Sequence, residues 1–329
     1  MKRILTVNFL TCIVLTGLFL YSWKAASAAV LPTHPVLPAH QRNSSCGTWT
    51  VVASPNPGSG TNFLNGVAAI SAGNVWAVGS YSNSSGSFPL IEHWNNLRWS
   101  VVSSPNIAGS LAGVVAVSAS NIWAVGENDS SNVQETLVEH WNGTQWSIVP
   151  GPNFATSGNT LAAISVVSAS DIWAAGTATS SSSTSGYQPL IEHWNGTQWS
   201  VSSSPALSGR LFSVAAVKSN DVWAVGDNIL PNSTGSLTEH WNGTQWSVVS
   251  SPNPAAINIL NSVVKISPVN VWAAGDYTNS SAPSADFTPL IEHWNGTQWS
   301  VVTGLLQGTS DLVNGMVAVS SKNITLVGD

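Results

Sequence analysis

Five glutamate–histidine pairs recur along this chain: Glu92-His93, Glu139-His140, Glu192-His193, Glu239-His240 and Glu292-His293. A tryptophan follows each. A carboxylate beside an imidazole can form an acid–base couple, or both groups can ligate a metal. The surroundings test that chemistry. Residues 190–200 and 290–300 both read LIEHWNGTQWS, with near copies at 90–100, 137–147 and 237–247. Asn-Gly between two apolar runs predicts a strand, a tight hairpin and a second strand. Side chains alternate along a strand, so Glu192 shares a face with Leu190 and Trp194, while His193 shares the other with Ile191. The two groups therefore do not converge on one substrate. Histidines of different units cannot share a metal either, because a Zn–N bond needs about 2.0–2.1 Å and neighbouring third strands stand far beyond that reach. The motif reads as scaffold, its Glu and His hydrogen-bonding within or between units. No catalytic or metal-ligating residue is assigned.

The elements that carry these pairs form a repeat. NVWAVG at 74–79 recurs in variants at 121–126, 171–176, 221–226 and 270–275, with NITLVG at 323–328. A Trp followed by Ser or Thr and apolar residues starts at Trp49, Trp99, Trp146, Trp199, Trp246 and Trp299. With the EHW segments, these hold every tryptophan except Trp23, so Trp is an architectural residue here. Successive EHW glutamates are 47, 53, 47 and 53 residues apart, the mark of a duplicated two-unit block. One unit reads as four strands: LNGVAAIS (64–71), VWAVGSY (75–81), PLIEHW (89–94) and the strand after the hairpin. Four antiparallel strands per unit describe an all-β, six-bladed β-propeller over residues 46–329. Five repeats are complete. The closing blade is expected to be split between a lone fourth strand at 48–53 and first and second strands at 312–328. It lacks its third strand, so it is either three-stranded or part of a longer chain. The small-residue first strand suits the crowded axis, and the tryptophans suit the interfaces between blades.

The turns carry two further expectations. Asn74, Asn121, Asp171, Asp221 and Asn270, each before a VW or IW pair, are expected to bond their own backbone in a tight turn. The sequons at Asn142, Asn195, Asn242 and Asn295 coincide with the hairpin and read as turn residues.

Gly79 and Gly126 ending a second strand, a variable loop, then a hairpin into a lone Trp resemble the kelch repeats of galactose-oxidase-like propellers. The kelch glycine doublet is a single glycine here (Gly79-Ser80, Gly126-Glu127). The N-G-T-x-W hairpin is similar to the Asp-box of sialidase propellers, without its aspartate. The EHWNGT and VWAVG repeats most resemble secreted bacterial propeller proteins, mostly without assigned activity. A sialidase-like site implies an arginine triad, yet beyond residue 28 the chain has only Arg42, Arg98 and Arg210. A galactose-oxidase-like copper site implies a Tyr–Cys pair, and Cys46 is the sole cysteine there.

Residues 1–28 read as a secretory signal: Lys2-Arg3, an apolar run from residue 4 to 21, and Ala26-Ser27-Ala28 before the cleavage point. The alternative is a retained membrane anchor. Residues 29–45, with Pro32, Pro35 and Pro38, read as a linker. Removing the signal leaves six Lys plus Arg against fifteen Asp plus Glu, a formal charge of −9. That balance argues against nucleic acid or anionic membrane as partners. A secreted or cell-surface monomer without an internal disulfide is expected.

Uniform scaffold segments leave specificity to the loops. Second-to-third-strand loops and inter-blade linkers should share one end of the propeller, and they differ in every unit. Loops held on a rigid frame commonly carry function. The candidate ligand-binding residues there are Tyr81, Phe88, Tyr187, Tyr277 and Phe287, with the acids Glu127, Asp129, Asp227, Asp276 and Asp286. Aromatics among amides and hydroxyls suit an extracellular carbohydrate or protein. The clustered acids leave calcium as a cofactor option. Two alternatives stand beside this binding module: a carbohydrate-active enzyme using a carboxylate pair such as Asp227 and Asp276, and a purely structural surface protein.

Overall fold

The computed structural model describes residues 4–6, 50–155, 157–179, 183, 185–206, 208–279, 286–303, 312–320 and 323–328. These residues are all-β, with no helix among them. Strands β1 (Ile4–Thr6) and β2 (Thr50–Val52) form an antiparallel pair. Five four-stranded antiparallel blades follow, each paired in chain order. Blade 1 is β3 (Asn62–Ser71), β4 (Asn74–Asn83), β5 (Gly86–Trp94) and β6 (Trp99–Val102). Blade 2 is β7 (Gly109–Ser118), β8 (Asn121–Asn128), β9 (Glu135–Trp141) and β10 (Trp146–Ile148). Blade 3 is β11 (Asn159–Ser168), β12 (Asp171–Thr179), β13 (Tyr187–Trp194) and β14 (Trp199–Val201). Blade 4 is β15 (Arg210–Lys218), β16 (Asp221–Leu230), β17 (Ser233–Trp241) and β18 (Trp246–Val248). Blade 5 is β19 (Ile257–Ser267), β20 (Asn270–Thr278), β21 (Thr288–Trp294) and β22 (Trp299–Val301). The pair β23 (Val313–Ser320) and β24 (Asn323–Gly328) begins another unit. A single parallel bridge, Thr234 to Ile257, links blades 4 and 5.

Each first strand carries a bulge at the same position, between Leu64 and Gly66 in blade 1 and between Leu211 and Ser213 in blade 4. The bulge presses first-strand backbone onto the glycine that ends each VWAVG segment. A Cβ on Gly226 would stand 1.9 Å from the Arg210 carbonyl oxygen, so only glycine fits. The hairpins depend on the opposite feature, a left-handed residue: φ is +96° at Gly143 and Gly196. Asn96 takes that place in blade 1 at φ 73°. Asn142 Oδ1 accepts hydrogen bonds from Thr144 N, Thr144 Oγ1 and Gln145 N at 2.7–3.0 Å, so the sequon asparagine organises the turn, as expected.

The core lies between blades. Trp76 packs against Trp141 and Trp146 of blade 2, Trp123 against Trp194 and Trp199, Trp173 against Trp241 and Trp246, and Trp223 against Trp294 and Trp299. These four tryptophans are at most 3% exposed. At about 25 cal/mol/Å² for the 150–250 Å² of a Trp, each burial is worth up to about 4–6 kcal/mol, enough to join blades without a disulfide.

At the expected closing blade, the described strands are β2 near one end of the chain and β23 with β24 near the other. Val52 does pack on the blade 1 cluster of Val75, Ala77 and Trp99, as a preceding fourth strand would. Among the described residues, however, β2 pairs with β1 and not with a strand joined to β24. The side-chain amides of Asn65 and Asn261 donate to the next inner strand, at Leu111 O and Val313 O, both 2.9 Å. Among the described residues, the equivalent amide of Asn314 is buried without a partner. Residues 7–49, including the linker and Cys46, lie outside the described residues.

Candidate functional site

The Glu-His pairs divide between two blade interfaces. Leu190 belongs to the cluster between blades 2 and 3, whereas Ile191 belongs to that between blades 3 and 4. Glu and His follow the same alternation. All five glutamates are 0% exposed. Glu139 accepts from Ser104 Oγ of the blade 1 linker at 2.8 Å (Oε1) and 3.1 Å (Oε2). Glu239 accepts likewise from Ser204 at 2.6 Å, and Glu292 from Ser251. Burial pushes Glu139, Glu239 and Glu292 up to about 7, against the opposing serine hydrogen bonds. Where Gly151 replaces the serine, burial drives Glu192 to about 8, opposed by a hydrogen bond from Thr136 of blade 2. These carboxyls fasten one blade to the next.

The histidines fasten each blade internally. Their rings lie 4.1–4.4 Å from the VW tryptophan of the same blade. Nε2 donates to Oδ1 of Asn74, Asn121, Asp171, Asp221 or Asn270 at 2.8–3.0 Å. Those Asn and Asp oxygens thus serve a cross-strand histidine, where the turn reading expected a bond to their own backbone. Trp76, Trp123 and Trp272 also donate Nε1 to the Asn oxygen. Burial lowers the pKa of His93, His140 and His293, favouring the neutral imidazole. Asp171 and Asp221 do the work of Asn in two blades, so the contact is a clamp that needs no charge. Asp221 has an added task. Lys265 of blade 5, whose side chain is 1% exposed, pairs with its carboxylate and donates to its carbonyl at 2.9 Å. Burial pushes Asp221 up, but Lys265 and His240 outweigh it and hold the carboxyl below its usual range.

Variable loops and linkers do meet at one end. Asp129 N donates to Ala108 O (3.0 Å), Asn159 N to Gln134 O (2.9 Å) and Gly209 N to Tyr187 O (3.2 Å). The candidate residues there divide sharply. Tyr81 and Phe88 face each other across β4 and β5 and stack at 5.6 Å. Glu127 and Asp129 share the Gln134 amide at 3.0 and 2.9 Å; burial raises Glu127, with Ser110 opposing and Asp129 adding. Asp286 is exposed and Phe287 half-buried. Tyr277 packs against the core between blades 4 and 5 instead of facing solvent freely. Asp227 and Asp276 are not open surface acids either. Asp227 is 0% exposed and gripped by the Arg210 guanidinium. Asp276 is 3% exposed, accepting from Val313 N (2.9 Å) and Asn261 Nδ2 (3.0 Å), and burial pushes it up to about 7. The reason is the rung they occupy: the second strand continues past Gly226 and Gly275, and each acid lies opposite the first strand, where Arg210 of the same blade engages Asp227 and Val313 of β23 engages Asp276. Among the described residues, no three His, Cys, Asp or Glu side chains converge on a metal position.

Arg210 emerges as the residue sequence reasoning passed over. Held by Asp227, its guanidinium lies 5.6 Å from the Tyr187 ring centre and 5.1 Å from that of Phe212, within cation–π range. Tyr187 is 41% exposed. Aligning the repeats by register would have paired Arg210 with Asp227 directly, as it pairs Ser110 with Glu127.

Successive four-stranded antiparallel blades, packed face to face through their tryptophans, define a β-propeller protein. Among solved structures, the chain is similar to YCF48 bound to D1 peptide, at 12% identity and a TM-score of 0.52, covering 86% of this chain and 80% of that one. YCF48 from Cyanidioschyzon merolae is similar at 12% identity and a TM-score of 0.54, with 85% and 83% covered. The GH74 xyloglucanase of Xanthomonas campestris follows at 12% identity and 0.48, with 73% of this chain and 38% of that one covered. No protein-family model and no curated protein sequence matches the chain.

Proposed function

We propose that this protein is a secreted or cell-surface, six-bladed propeller that binds an extracellular protein or glycan through its variable-loop end. The observation that carries this reading is the Tyr187–Arg210–Phe212 group. Buried Asp227 pairs with the guanidinium and fixes its position, setting the partly exposed Arg210 head beside the exposed Tyr187 ring and Phe212. Such a surface suits an aromatic or carboxylate side chain of a peptide, or the face of a sugar ring. That a protein of similar fold was solved with a peptide bound adds support for a protein ligand. Export is supported by the charge and apolar pattern of residues 1–28, and the six-blade count by β23 and β24 continuing the repeat after five complete blades. The carbohydrate-active enzyme reading loses its carboxylate pair, because Asp227 and Asp276 are both buried and engaged.

Glycan arrays and displayed peptide libraries screened against the purified chain test the proposal. Tyr187→Ala is expected to weaken binding of any selected ligand at least tenfold while leaving the thermal midpoint unchanged. Wild-type binding by that variant would overturn the assignment of the site, and no ligand from either screen would favour a structural role.

A further inference from the structure

Arg210 departs from the repeat. In each blade, one first-strand residue faces the residue after the VWAVG-type glycine: Phe63 faces Ser80, Ser110 faces Glu127, Thr160 faces Thr177 and Ile259 faces Asp276. Among the described residues, blade 4 alone sets a cation on that rung, Arg210 against Asp227. Its bulge residue differs as well. Phe212 stands where the other first strands carry Asn65, Ala112, Ala162 and Asn261. Asn65 and Asn261 use their amides to reach the next inner strand; blade 4 has instead a ring 5.1 Å from the guanidinium. The charge is also isolated. At the variable-loop end Arg210 is the one Lys or Arg among the described residues, because Arg98 lies in a third-to-fourth-strand hairpin and Lys218 and Lys265 near first-to-second-strand turns. Tyr187 beside it is held in place: its carbonyl accepts from Ser183 Oγ at 2.6 Å and from Gly209 N at 3.2 Å.

We infer that this site takes an acidic sugar: a hexuronic acid residue of a sparsely charged glycan, its carboxylate on Arg210 and its C–H face on Tyr187. The inference rests on the reading of the variable-loop end as the binding surface. Arg210 engages Asp227 through Nε, at 3.2 Å, and Nη2. Among the described residues no hydrogen bond to Nη1 accompanies them, so the Nη1 donors remain for a ligand carboxylate. The Arg210 side chain is 36% exposed and that of Asp227 0%, so a ligand reaches the cation and not its counter-charge. Phe212 and Tyr187 flank the guanidinium and shield the ion pair from water, which strengthens it. The exposed Tyr187 ring offers its π face to the C–H groups of a pyranose. Hydroxyls frame that ring: Ser208 Oγ lies 2.8 Å from Ser185 Oγ, and both have lone pairs for sugar hydroxyls. That frame favours a sugar over an apolar peptide anchor. The acids Glu127, Asp129, Glu135 and Asp286 share the same end and repel a dense polyanion, which selects a glycan with few charges.

The probes are oligosaccharides ending in glucuronic or galacturonic acid, each paired with its carboxyl-reduced, neutral counterpart, and short peptides bearing one carboxylate. Each is titrated into the full chain by isothermal titration calorimetry. A uronate glycan is expected to bind saturably and its reduced counterpart at least tenfold more weakly, a comparison that needs no variant. Changing Arg210 alone would strand buried Asp227, so the variant combines Arg210→Met with Asp227→Asn and removes both charges. It should lose at least tenfold in affinity for the uronate while keeping the native circular dichroism. Equal binding of a uronate and its reduced form, or undiminished uronate binding by the double variant, would overturn the inference; loss of that binding in Tyr187→Ala would still uphold the loop end as the binding surface. Binding by the peptides alone would also overturn it and leave that broader reading standing. No binding by any probe would count against both.

Discussion

Replacing Glu139 by glutamine should make the protein's stability less sensitive to pH, in a direction opposite to that of a salt-bridged carboxylate. Glu139 is 0% exposed and its pKa is raised to about 7 from the ordinary 4.5, chiefly by burial. The folded state thus holds this proton more tightly than the unfolded chain. Below pH 4.5 both states are protonated and the group makes no pH-dependent contribution. Between 4.5 and 7 the unfolded chain releases the proton first, so stability falls as pH rises. Above 7 the fold carries a buried carboxylate. At 1.36 kcal/mol per unit, the wild type loses about 3 kcal/mol across that window through this one group. Glutamine keeps an oxygen for Ser104 Oγ and cannot ionise. Urea unfolding followed by tryptophan fluorescence at pH 4 and pH 8 measures the difference between variant and wild type. That difference should shift by about 3 kcal/mol in favour of Glu139→Gln on going to pH 8. A pH-independent difference, or a larger penalty for glutamine at pH 8, would refute the claim that burial dominates this carboxyl.

Three other outcomes follow from the blade interfaces. Asp221→Asn should cost about 3–5 kcal/mol, because it leaves buried Lys265 without its counter-charge; Asp171→Asn should cost at most about 0.5 kcal/mol, since Asn holds the same histidine contact in three blades. Equal costs in urea unfolding would contradict that division. Gly226→Ala should destabilise by about 1–3 kcal/mol or more, as its methyl meets the Arg210 carbonyl, and a thermal midpoint equal to wild type would count against the close approach. Trp223→Ala should cost about 3–5 kcal/mol by opening a cavity against Trp294 and Trp299, whereas half-buried Trp272→Ala should cost clearly less; calorimetry on both variants checks the order.

Much of the blade was legible in the residues. Asn-Gly located the hairpins, because a left-handed turn residue is a local requirement that few side chains meet. Period-two alternation placed Glu192 and His193 on opposite faces, because pleating alone decides that. What local pattern could not supply was the partner. A short polar residue before a VW pair fits a self-bonded turn, yet in the folded blade its oxygen serves a histidine 19 residues or more along the chain. The loop acids offered no hint of their depth either. Asp227 and Asp276 sit one residue past the glycine that reads as a loop boundary, but the strand continues through them, and Arg210 engages the first while Val313 of β23 engages the second.

The sequence by itself determined the repeat, the four-strand unit, the hairpins and the architectural use of tryptophan, all consequences of short-range spacing and backbone geometry. Tertiary structure decided which polar groups are buried and what meets them. It set Glu139 against Ser104, Lys265 against Asp221 and Arg210 between Tyr187 and Phe212. Desolvation and pairing depend on atoms brought close across blades, and no single strand carries that information in its own residues.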